Sequence, residues 1–264
     1  MADARLDAAL AERGLARSRT HAARLIADGL VTVDGVGVTK ASTKVGESQV
    51  LKVAGADHYV SRAAHKLLGA LDSFAVDVTG RRALDVGAST GGFTQVLLER
   101  GAAHVIALDV GHGQLHTLIR SDPRVAVVEG SNARFLTVES LAASSRVDEI
   151  PDLVVGDLSF ISITQVLPAL VETVGIGADF VLLIKPQFEV GRTGVREGIV
   201  TNPNLRADAV ATVLWAAWDL GLGTAGLAPS PIIGTAGNHE YLVWFSAAVG
   251  TNPTEWLQRV NELA

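Results

Sequence analysis

From residue 82 onward, short apolar runs typical of β-strands alternate with amphipathic helical segments. Such alternation predicts a mostly parallel sheet with helices on both faces. On a sheet of this kind, ligands bind at the carboxyl ends of the strands. The predicted strands are Arg82–Val86, His104–Asp109, Arg124–Val128, Asp152–Gly156, Phe180–Ile184 and Glu240–Phe245.

The composition excludes several other classes of protein. With 264 residues, of which 48% are hydrophobic and 19% charged, the chain can bury the core of one α/β domain and a small additional unit. It contains no cysteine, which excludes disulfides, thiolate metal sites and cysteine nucleophiles, including those used to methylate pyrimidine C5. No apolar run reaches the ~18 residues of a membrane span, and no signal peptide is visible, so we expect a cytoplasmic protein.

Charge is distributed unevenly along the chain. Residues 1–60 carry a net charge of +1, whereas residues 61–264 carry −7, giving −6 overall. The first segment is therefore the better candidate for contact with the phosphate backbone of a nucleic acid.

The N-terminal segment is predicted to contain two helices and two strands. Apolar residues recur at helical spacing in Arg5–Leu10 and Ser18–Ile26, and Ser18 is placed to cap the second helix. The period then changes to two in Leu30–Gly35, which ends in an Asp-Gly turn, and Val50–Val53 forms a closing strand.

Arginines cluster around the turn between these two helices. One arginine alone would be read as a solvated surface residue, but four within twelve residues favour a phosphate-binding patch. Roughly residues 5–53 resemble the S4 RNA-binding domain, through Arg5-Leu6-Asp7, the segment 18–22 and the segment 29–35. The predicted RNA-binding residues are Arg5, Arg13, Arg17, Arg19 and Arg24.

A glycine-rich loop follows the first predicted strand of the larger segment. Ala83-Leu84-Asp85-Val86 leads directly into Gly87-Ala88-Ser89-Thr90-Gly91-Gly92-Phe93, where glycines allow a sharp turn and a close approach to a ligand. The pattern departs from a dinucleotide fingerprint and is similar to motif I of class I methyltransferases. This resemblance implies that the loop holds the methionine portion of S-adenosylmethionine.

The ends of the next two strands complete the predicted cofactor site. Asp109 lies 24 residues beyond Asp85, where a carboxylate can accept hydrogen bonds from ribose hydroxyls, although it could also be a solvated turn residue. Asn132 is placed to contact adenine. The predicted cofactor-binding residues are Asp85, Gly87, Ala88, Ser89, Thr90, Gly91, Gly92, Phe93, Asp109, Asn132 and Asp157.

Lysine is rare in the larger segment. Residues 61–264 contain two lysines, Lys66 and Lys185, against twelve arginines. An ammonium crowded by another cation can lose its proton and act as a base, whereas a guanidinium effectively cannot. Two lysines alone could be chance, but Lys185 and Asp157 each follow a predicted strand, and Glu240 opens the last one. All three would meet at one sheet edge if that last strand runs antiparallel.

Lys66, Asp157, Lys185 and Glu240 match in order and context the Lys-Asp-Lys-Glu tetrad of the FtsJ-like ribose 2′-O-methyltransferases. With the S4-like segment, the whole chain resembles the TlyA family, whose members are named in part as haemolysins. The resemblance implies methylation of cytidines in 16S and 23S ribosomal RNA, with Lys185 as base, Asp157 and Lys66 orienting it and the hydroxyl, and Glu240 supporting the network.

The implied fold is a class I (Rossmann-like) methyltransferase, an α/β fold with a seven-stranded, mostly parallel sheet and helices on both faces, preceded by a small α+β S4 domain. We place the S4-like domain at residues 1–56, a linker at 57–62 and the methyltransferase domain at 63–264. We expect ribosomal RNA or a ribosomal subunit as partner, neither a membrane nor a metal, and we favour a monomer.

Other patterns are weighed against plainer interpretations. His112 and His116 could bind a metal, although a loop and helix start is favoured; Phe160 and Phe188 fit either core packing or contact with cofactor or base. Two rival functions remain: a membrane-active haemolysin, and a non-catalytic S4-containing ribosome-assembly factor.

Overall fold

The structure is a computed structural model that describes residues 4–16, 18–27, 29–53, 58–191, 194–195, 198–234 and 237–264. The chain divides into two compact units, residues 1–58 and 59–264, each considered by itself. The predicted RNA contact Arg17 and the first residue of the predicted linker, Asp57, lie outside the described residues.

The N-terminal unit is a small α+β structure. Two helices pack on short antiparallel strands, of which two pair with each other and three form a separate sheet. Its core is built around Leu6, Leu10, Ile26 and Val31, all fully buried. The elements are β1 (Ala4–Arg5), α1 (Leu6–Glu12), α2 (Arg19–Ala27), β2 (Val31–Val33), β3 (Val36–Gly37), β4 (Lys44–Val45) and β5 (Leu51–Val53).

Local sequence accounts for the ends of these elements. The hydroxyl of Ser18 accepts a hydrogen bond from the His21 amide at 3.2 Å, as expected of a residue that caps α2. Asp34 and Gly35 both adopt positive φ, 50° and 83°, and form the tight turn between β2 and β3. The strand predicted at Leu30–Gly35 is therefore one arm of a hairpin.

The C-terminal unit contains the remaining elements in largely alternating order. They are α3 (Ala64–Phe74), β6 (Arg82–Val86), α4 (Gly92–Glu99), β7 (His104–Leu108), α5 (Thr117–Arg120), β8 (Val125–Val128), α6 (Val138–Ser145), β9 (Leu153–Gly156), α7 (Ile163–Val174), β10 (Asp179–Ile184), α8 (Pro186–Glu189), α9 (Pro203–Asp219), β11 (Gly223–Pro229), β12 (Tyr241–Ser246) and α10 (Leu257–Leu263).

One seven-stranded sheet organises this unit, in the order β11-β12-β10-β9-β6-β7-β8. Strand β12 is antiparallel to both neighbours, and the pairings among β6 to β10 are parallel. The predicted seven-stranded, mostly parallel fold is confirmed. From β6 the chain adds β7 and β8 on one side, and then adds β9 and β10 on the other side. A ligand crevice is expected at the carboxyl ends of β6 and β9, where this order switches.

The hydrophobic core lies on both faces of the sheet. Successive residues of one strand, such as Ala83 and Leu84, belong to different clusters, one on each face, because successive side chains point to opposite sides. Both faces of the central strands are covered, so these strands read as continuous apolar runs.

Strand β11 was not among the strands predicted from sequence. Its residues Gly223–Pro229 are rich in glycine and alanine, which are depleted in strands, so no propensity signal marks them. Pairing with the whole length of β12 forms this strand. Gly226 is required at a close approach, since a Cβ there would lie 2.5 Å from the ring of Phe74. Among the described residues, no helix combines the length and hydrophobicity needed to cross a membrane.

Candidate active site

The carboxyl edge of the sheet brings together residues far apart in sequence. Asp157 directly follows β9 and Lys185 directly follows β10, while Glu240 directly precedes the antiparallel strand β12. Pairing of Leu182 with Gly156 and of Ile184 with Tyr241 places these three positions side by side. Lys66 enters the same space from the first turn of α3.

These four side chains form a continuous ion-pair network. Lys66 Nζ lies 2.7 Å from Glu240 Oε2 and 3.1 Å from Asp157 Oδ2, and Lys185 Nζ lies 2.7 Å from Asp157 Oδ1. Each side chain is at most 15% exposed. Two ammonium groups and two carboxylates balance one another, which is the condition under which buried charges are tolerated.

The two lysines have different surroundings within this network. Lys66 is bound between two carboxylates, whereas Lys185 contacts one carboxylate and donates a hydrogen bond to the hydroxyl of Ser159 at 2.8 Å. Sequence reasoning did not select Ser159. Its position two residues after Asp157, on the same loop, was the signal that could have done so.

The loop after β6 has the backbone conformation of a ligand-binding turn. Gly87 and Gly91 have φ of 81° and 95°, and Ser89 also has a positive φ of 48°. A Cβ on Gly87 would lie 3.5 Å from the carbonyl oxygen of Asp157, so this loop abuts the loop after β9. The ligand position expected between β6 and β9 is therefore bordered by the glycine loop and by the loop that carries Asp157.

Asp85 lies fully buried at the base of this loop. Thr94 donates a hydrogen bond from its hydroxyl to Oδ2 of Asp85 at 2.6 Å, and Oδ1 has no hydrogen-bond partner among the described residues. Burial raises the pKa of the Asp85 carboxyl from 3.8 to about 7, against the opposing effect of Thr94. Thr94 was not selected from sequence, because a threonine inside a helix carries no distinctive pattern.

The other predicted residues of the glycine loop are either packed against neighbouring side chains or exposed. Phe93 packs into the core, and a Cβ on Gly92 would lie 2.9 Å from the Ser61 side chain. A Cβ on Gly91 would lie 2.8 Å from Leu115. Among the predicted contacts, Ala88 is buried, whereas Ser89 and Thr90 are exposed.

Asp109, the predicted ribose-binding carboxylate, lies beside the glycine loop. Its two oxygens accept hydrogen bonds from the amides of Ser89, at 2.8 Å, and Gly111, at 2.7 Å. The hydroxyl of Ser89 reaches Gln114, which sequence reasoning did not select, at 3.3 Å. Asn132 is exposed, and its side-chain oxygen accepts the Arg134 amide at 3.0 Å at the start of a short 3₁₀ turn.

The donor and acceptor set of this crevice fits the cofactor implied by motif I. The buried, unpaired Oδ1 of Asp85 is an acceptor suited to a positively charged group, the glycine turn leaves backbone open to an approaching ligand, and the Asp109 carboxylate offers acceptors for a diol. S-adenosylmethionine carries a positively charged ammonium and sulfonium, which suit the first of these features, and a ribose diol, which suits the third.

Two aromatic rings lie beside the network. Phe160 is 92% exposed with a φ of 65°, and its ring centroid is 5.4 Å from that of Phe188. A large apolar side chain held so far out of the core, on a backbone conformation that phenylalanine rarely adopts, indicates a contact surface. Phe160 is not a core residue.

In the N-terminal unit, the predicted RNA-binding arginines have distinct roles. Arg5 and Arg19 lie 3.0 and 3.4 Å from the carboxylate of Asp7, whose pKa is lowered to about 2 mainly by the hydrogen bond from Arg5. Arg13 donates to the carbonyls of Gly46 and Gln49, both at 2.7 Å. Arg13 therefore ties α1 to the loop before β5, while Asp7 orients the guanidinium groups of Arg5 and Arg19.

The remaining candidates have structural roles. His116 caps α5, accepting the Leu118 amide at its Nδ1. A Cβ on Gly130 would lie 2.6 Å from His112, whose ring therefore packs closely on that backbone. A search of the described residues finds no group of three or more His, Asp or Glu that could hold a metal ion.

Comparisons with known proteins agree with this geometry. The sequence model of the FtsJ-like methyltransferases matches residues 59–247, and that of the S4 domain matches residues 4–51. The chain is 53% identical to the 16S/23S rRNA (cytidine-2′-O)-methyltransferase TlyA of Mycobacterium tuberculosis, over 91% of this chain and 89% of that protein. The chain belongs to the TlyA family of FtsJ-like methyltransferases.

Other members of the TlyA family carry a different name. Hemolysin A of Brachyspira hyodysenteriae is 40% identical, over 91% of this chain and 99% of that protein. A solved structure described as a hemolysin, from Streptococcus thermophilus, is 36% identical with a TM-score of 0.75, covering 100% of this chain and 96% of that one. The resemblance stated from sequence is confirmed.

Proposed function

We propose that this protein transfers the methyl group of S-adenosylmethionine to the ribose 2′-hydroxyl of cytidines in 16S ribosomal RNA, 23S ribosomal RNA or both. The observation that carries the proposal is the buried network of Lys66, Asp157, Lys185 and Glu240 beside the glycine loop. The name of the Mycobacterium tuberculosis relative supplies the nucleotide and the RNA. Such a substrate places the protein in the cytoplasm, with ribosomal RNA or a subunit as partner.

The cofactor would be held between β6 and β9 by residues already described. The carboxylates of Asp85 and Asp109 supply acceptors for its cationic and ribose groups, and the turn at Gly87 permits close backbone approach. When bound, S-adenosylmethionine supplies an electrophilic methyl group on a sulfonium. Residues of this chain would remove the proton of the hydroxyl and position the reacting groups.

Lys185 is the proposed base. A ribose 2′-hydroxyl is a weak nucleophile until its proton is removed, and a neutral lysine amine within hydrogen-bond reach can accept that proton. Asp157 holds Lys185 at 2.7 Å and joins it to Lys66, whose position Glu240 secures at 2.7 Å. The Lys66 cation balances the carboxylates of Asp157 and Glu240, which fixes their positions around Lys185.

The surroundings provide places for the RNA. We propose that the exposed ring of Phe160 stacks against the base of the target nucleotide, since aromatic platforms bind unstacked bases in RNA recognition. Arg5 and Arg19, oriented by Asp7, would contact phosphates, which fixes the position of the RNA but not its sequence.

The test measures transfer of a labelled methyl group to ribosomal RNA from cells that lack this protein. Lys185→Arg keeps the positive charge but cannot act as a base at neutral pH, so transfer should fall by at least ~100-fold while S-adenosylmethionine still binds by calorimetry. Lys52→Arg, at an exposed position of the N-terminal unit, is the matched control and should keep full activity.

The product should resist alkaline cleavage at the modified nucleotide, because a 2′-O-methyl group cannot attack the adjacent phosphate. Full activity in Lys185→Arg would rule out the proposed base. A wild-type protein that binds RNA but shows no cofactor binding would instead support the non-catalytic assembly factor. Leakage of liposomes independent of the cofactor would support the membrane-active alternative.

A further inference from the structure

The loop that follows β9 and the segment that follows β10, which comprises Lys185 and the short helix α8, are joined at successive points along their length. The first is the ion pair between Asp157 and Lys185, extended by the hydrogen bond of Lys185 to Ser159. The second is the ring contact of Phe160 with Phe188. The third connection is made by Glu189, the last residue of α8, which belongs neither to the tetrad nor to the proposed cofactor site.

Glu189 binds the start of α7 through both carboxylate oxygens. Its Oε2 accepts the hydroxyl of Ser162 at 2.5 Å, and its Oε1 accepts the backbone amide of Ile163 at 2.8 Å. The Ser162 hydroxyl in turn accepts the amide of Thr164 at 3.1 Å, so its donor and acceptor capacities are both used. A carboxylate here also satisfies the otherwise unpaired amide of Ile163 at the N-terminus of α7.

We infer that Glu189 is a positioning residue, which holds the loop carrying Phe160 against Lys185 and α8 and so sets the position of the Phe160 ring relative to the Lys185 amine. This inference rests on the proposed function. Glu189 directly follows Phe188, and Ser162 lies two residues after Phe160, so the link lies immediately next to the ring pair. Without it, only the contacts of Lys185 with Asp157 and Ser159 and the ring pair itself would join the two segments.

The chemistry of the link requires a carboxylate. Two donors from the other loop converge on Glu189, and a glutamine would offer them one carbonyl oxygen and one amide that cannot accept. Burial also raises the pKa of the Glu189 carboxyl, against the effects of Ser162 and Ile163, so the group is held at some energetic cost. A carboxylate retained at such a cost, at the junction of the two loops, is consistent with a positioning role.

The experiment compares Glu189→Ala with Glu139→Ala, which removes an exposed glutamate from the first turn of α6. Hydrogen exchange is measured over residues 157–163 and 185–190 of the whole protein. We expect exchange over both segments to accelerate ~10-fold or more in Glu189→Ala, with residues 82–92 unchanged and no change in Glu139→Ala. Unchanged exchange in Glu189→Ala would overturn the inference, and this readout does not depend on methyl transfer.

Kinetics then separate positioning from simple stabilisation. Glu189→Ala should lower the single-turnover rate of methyl transfer by ~10-fold and leave the affinity for S-adenosylmethionine unchanged. If Glu189 acts through Phe160, adding Glu189→Ala to Phe160→Ala should cost less than ~3-fold more, because residues acting as one unit are not additive. Fully multiplicative losses would show that Glu189 does not act through the ring. Absence of any transfer in the wild type would instead contradict the proposed function.

Discussion

Nζ of Lys66 lies 2.7 Å from Oε2 of Glu240, and both side chains are almost fully buried. Because Asp157 also contacts Lys66, removal of this lysine would leave two carboxylates with one remaining ammonium. Lys66→Met should therefore lower the free energy of unfolding by roughly 3 kcal/mol. The double variant Lys66→Met, Glu240→Gln restores charge balance and should recover part of that loss. Urea unfolding measures both, and equal stability of single and double variants would show that the pair is not coupled.

The buried carboxyl of Asp85 should make stability depend on pH. Its pKa of about 7, against an ordinary 3.8, means that the folded protein retains a proton that the unfolded chain has lost between these values. Stability should therefore fall as pH rises from 5 to 7, and Asp85→Asn should lack this component. The stability of the variant relative to wild type should rise by about 3 kcal/mol between pH 5 and pH 8. Parallel pH profiles from urea unfolding would contradict the perturbed carboxyl.

Two arginines of the N-terminal unit should respond differently to truncation. Arg13→Ala loses two hydrogen bonds to backbone carbonyls and should destabilise the loop around Gly46 by about 1 kcal/mol, seen as faster hydrogen exchange, with little change in RNA affinity. Arg19→Ala should weaken binding to 23S ribosomal RNA and reduce the slope of log affinity against log salt by about 1. Equal losses of RNA affinity in both variants would place Arg13 in the RNA-binding surface as well.

The glycine loop should tolerate substitution poorly at Gly91. Its φ of 95° and a Cβ that would lie 2.8 Å from Leu115 both oppose any side chain. Gly91→Ala should therefore lower the free energy of unfolding by about 2 kcal/mol and weaken cofactor binding. Gly177→Ala is the control, since a Cβ there meets nothing within 4 Å and φ is not in the left-handed region. A stability loss of the same size at both positions would show that close packing at Gly91 is not the cause.

Periodicity and turn chemistry in the sequence were enough to predict most elements. Continuous apolar runs identified six of the seven strands of the larger sheet within a residue or two, and Asp34-Gly35 marked the hairpin of the N-terminal unit. Strand β11 was not predicted, because its glycines and alanines acquire strand conformation only by pairing with β12. Thr94, Ser159 and Glu189 were missed for a related reason: their partners lie on other elements.

The sequence by itself determined the alternation of strands and helices, the glycine loop and the four residue types of the network, because these depend on local pattern. Only the tertiary structure decided that Lys66, Asp157, Lys185 and Glu240 share one buried charge network. It also decided that Arg13 donates hydrogen bonds to backbone carbonyls of the loop before β5. Strand order and direction bring together positions up to 174 residues apart, from Lys66 to Glu240. No local preference encodes such proximity, since it arises when the strands pair and bury both faces of the sheet.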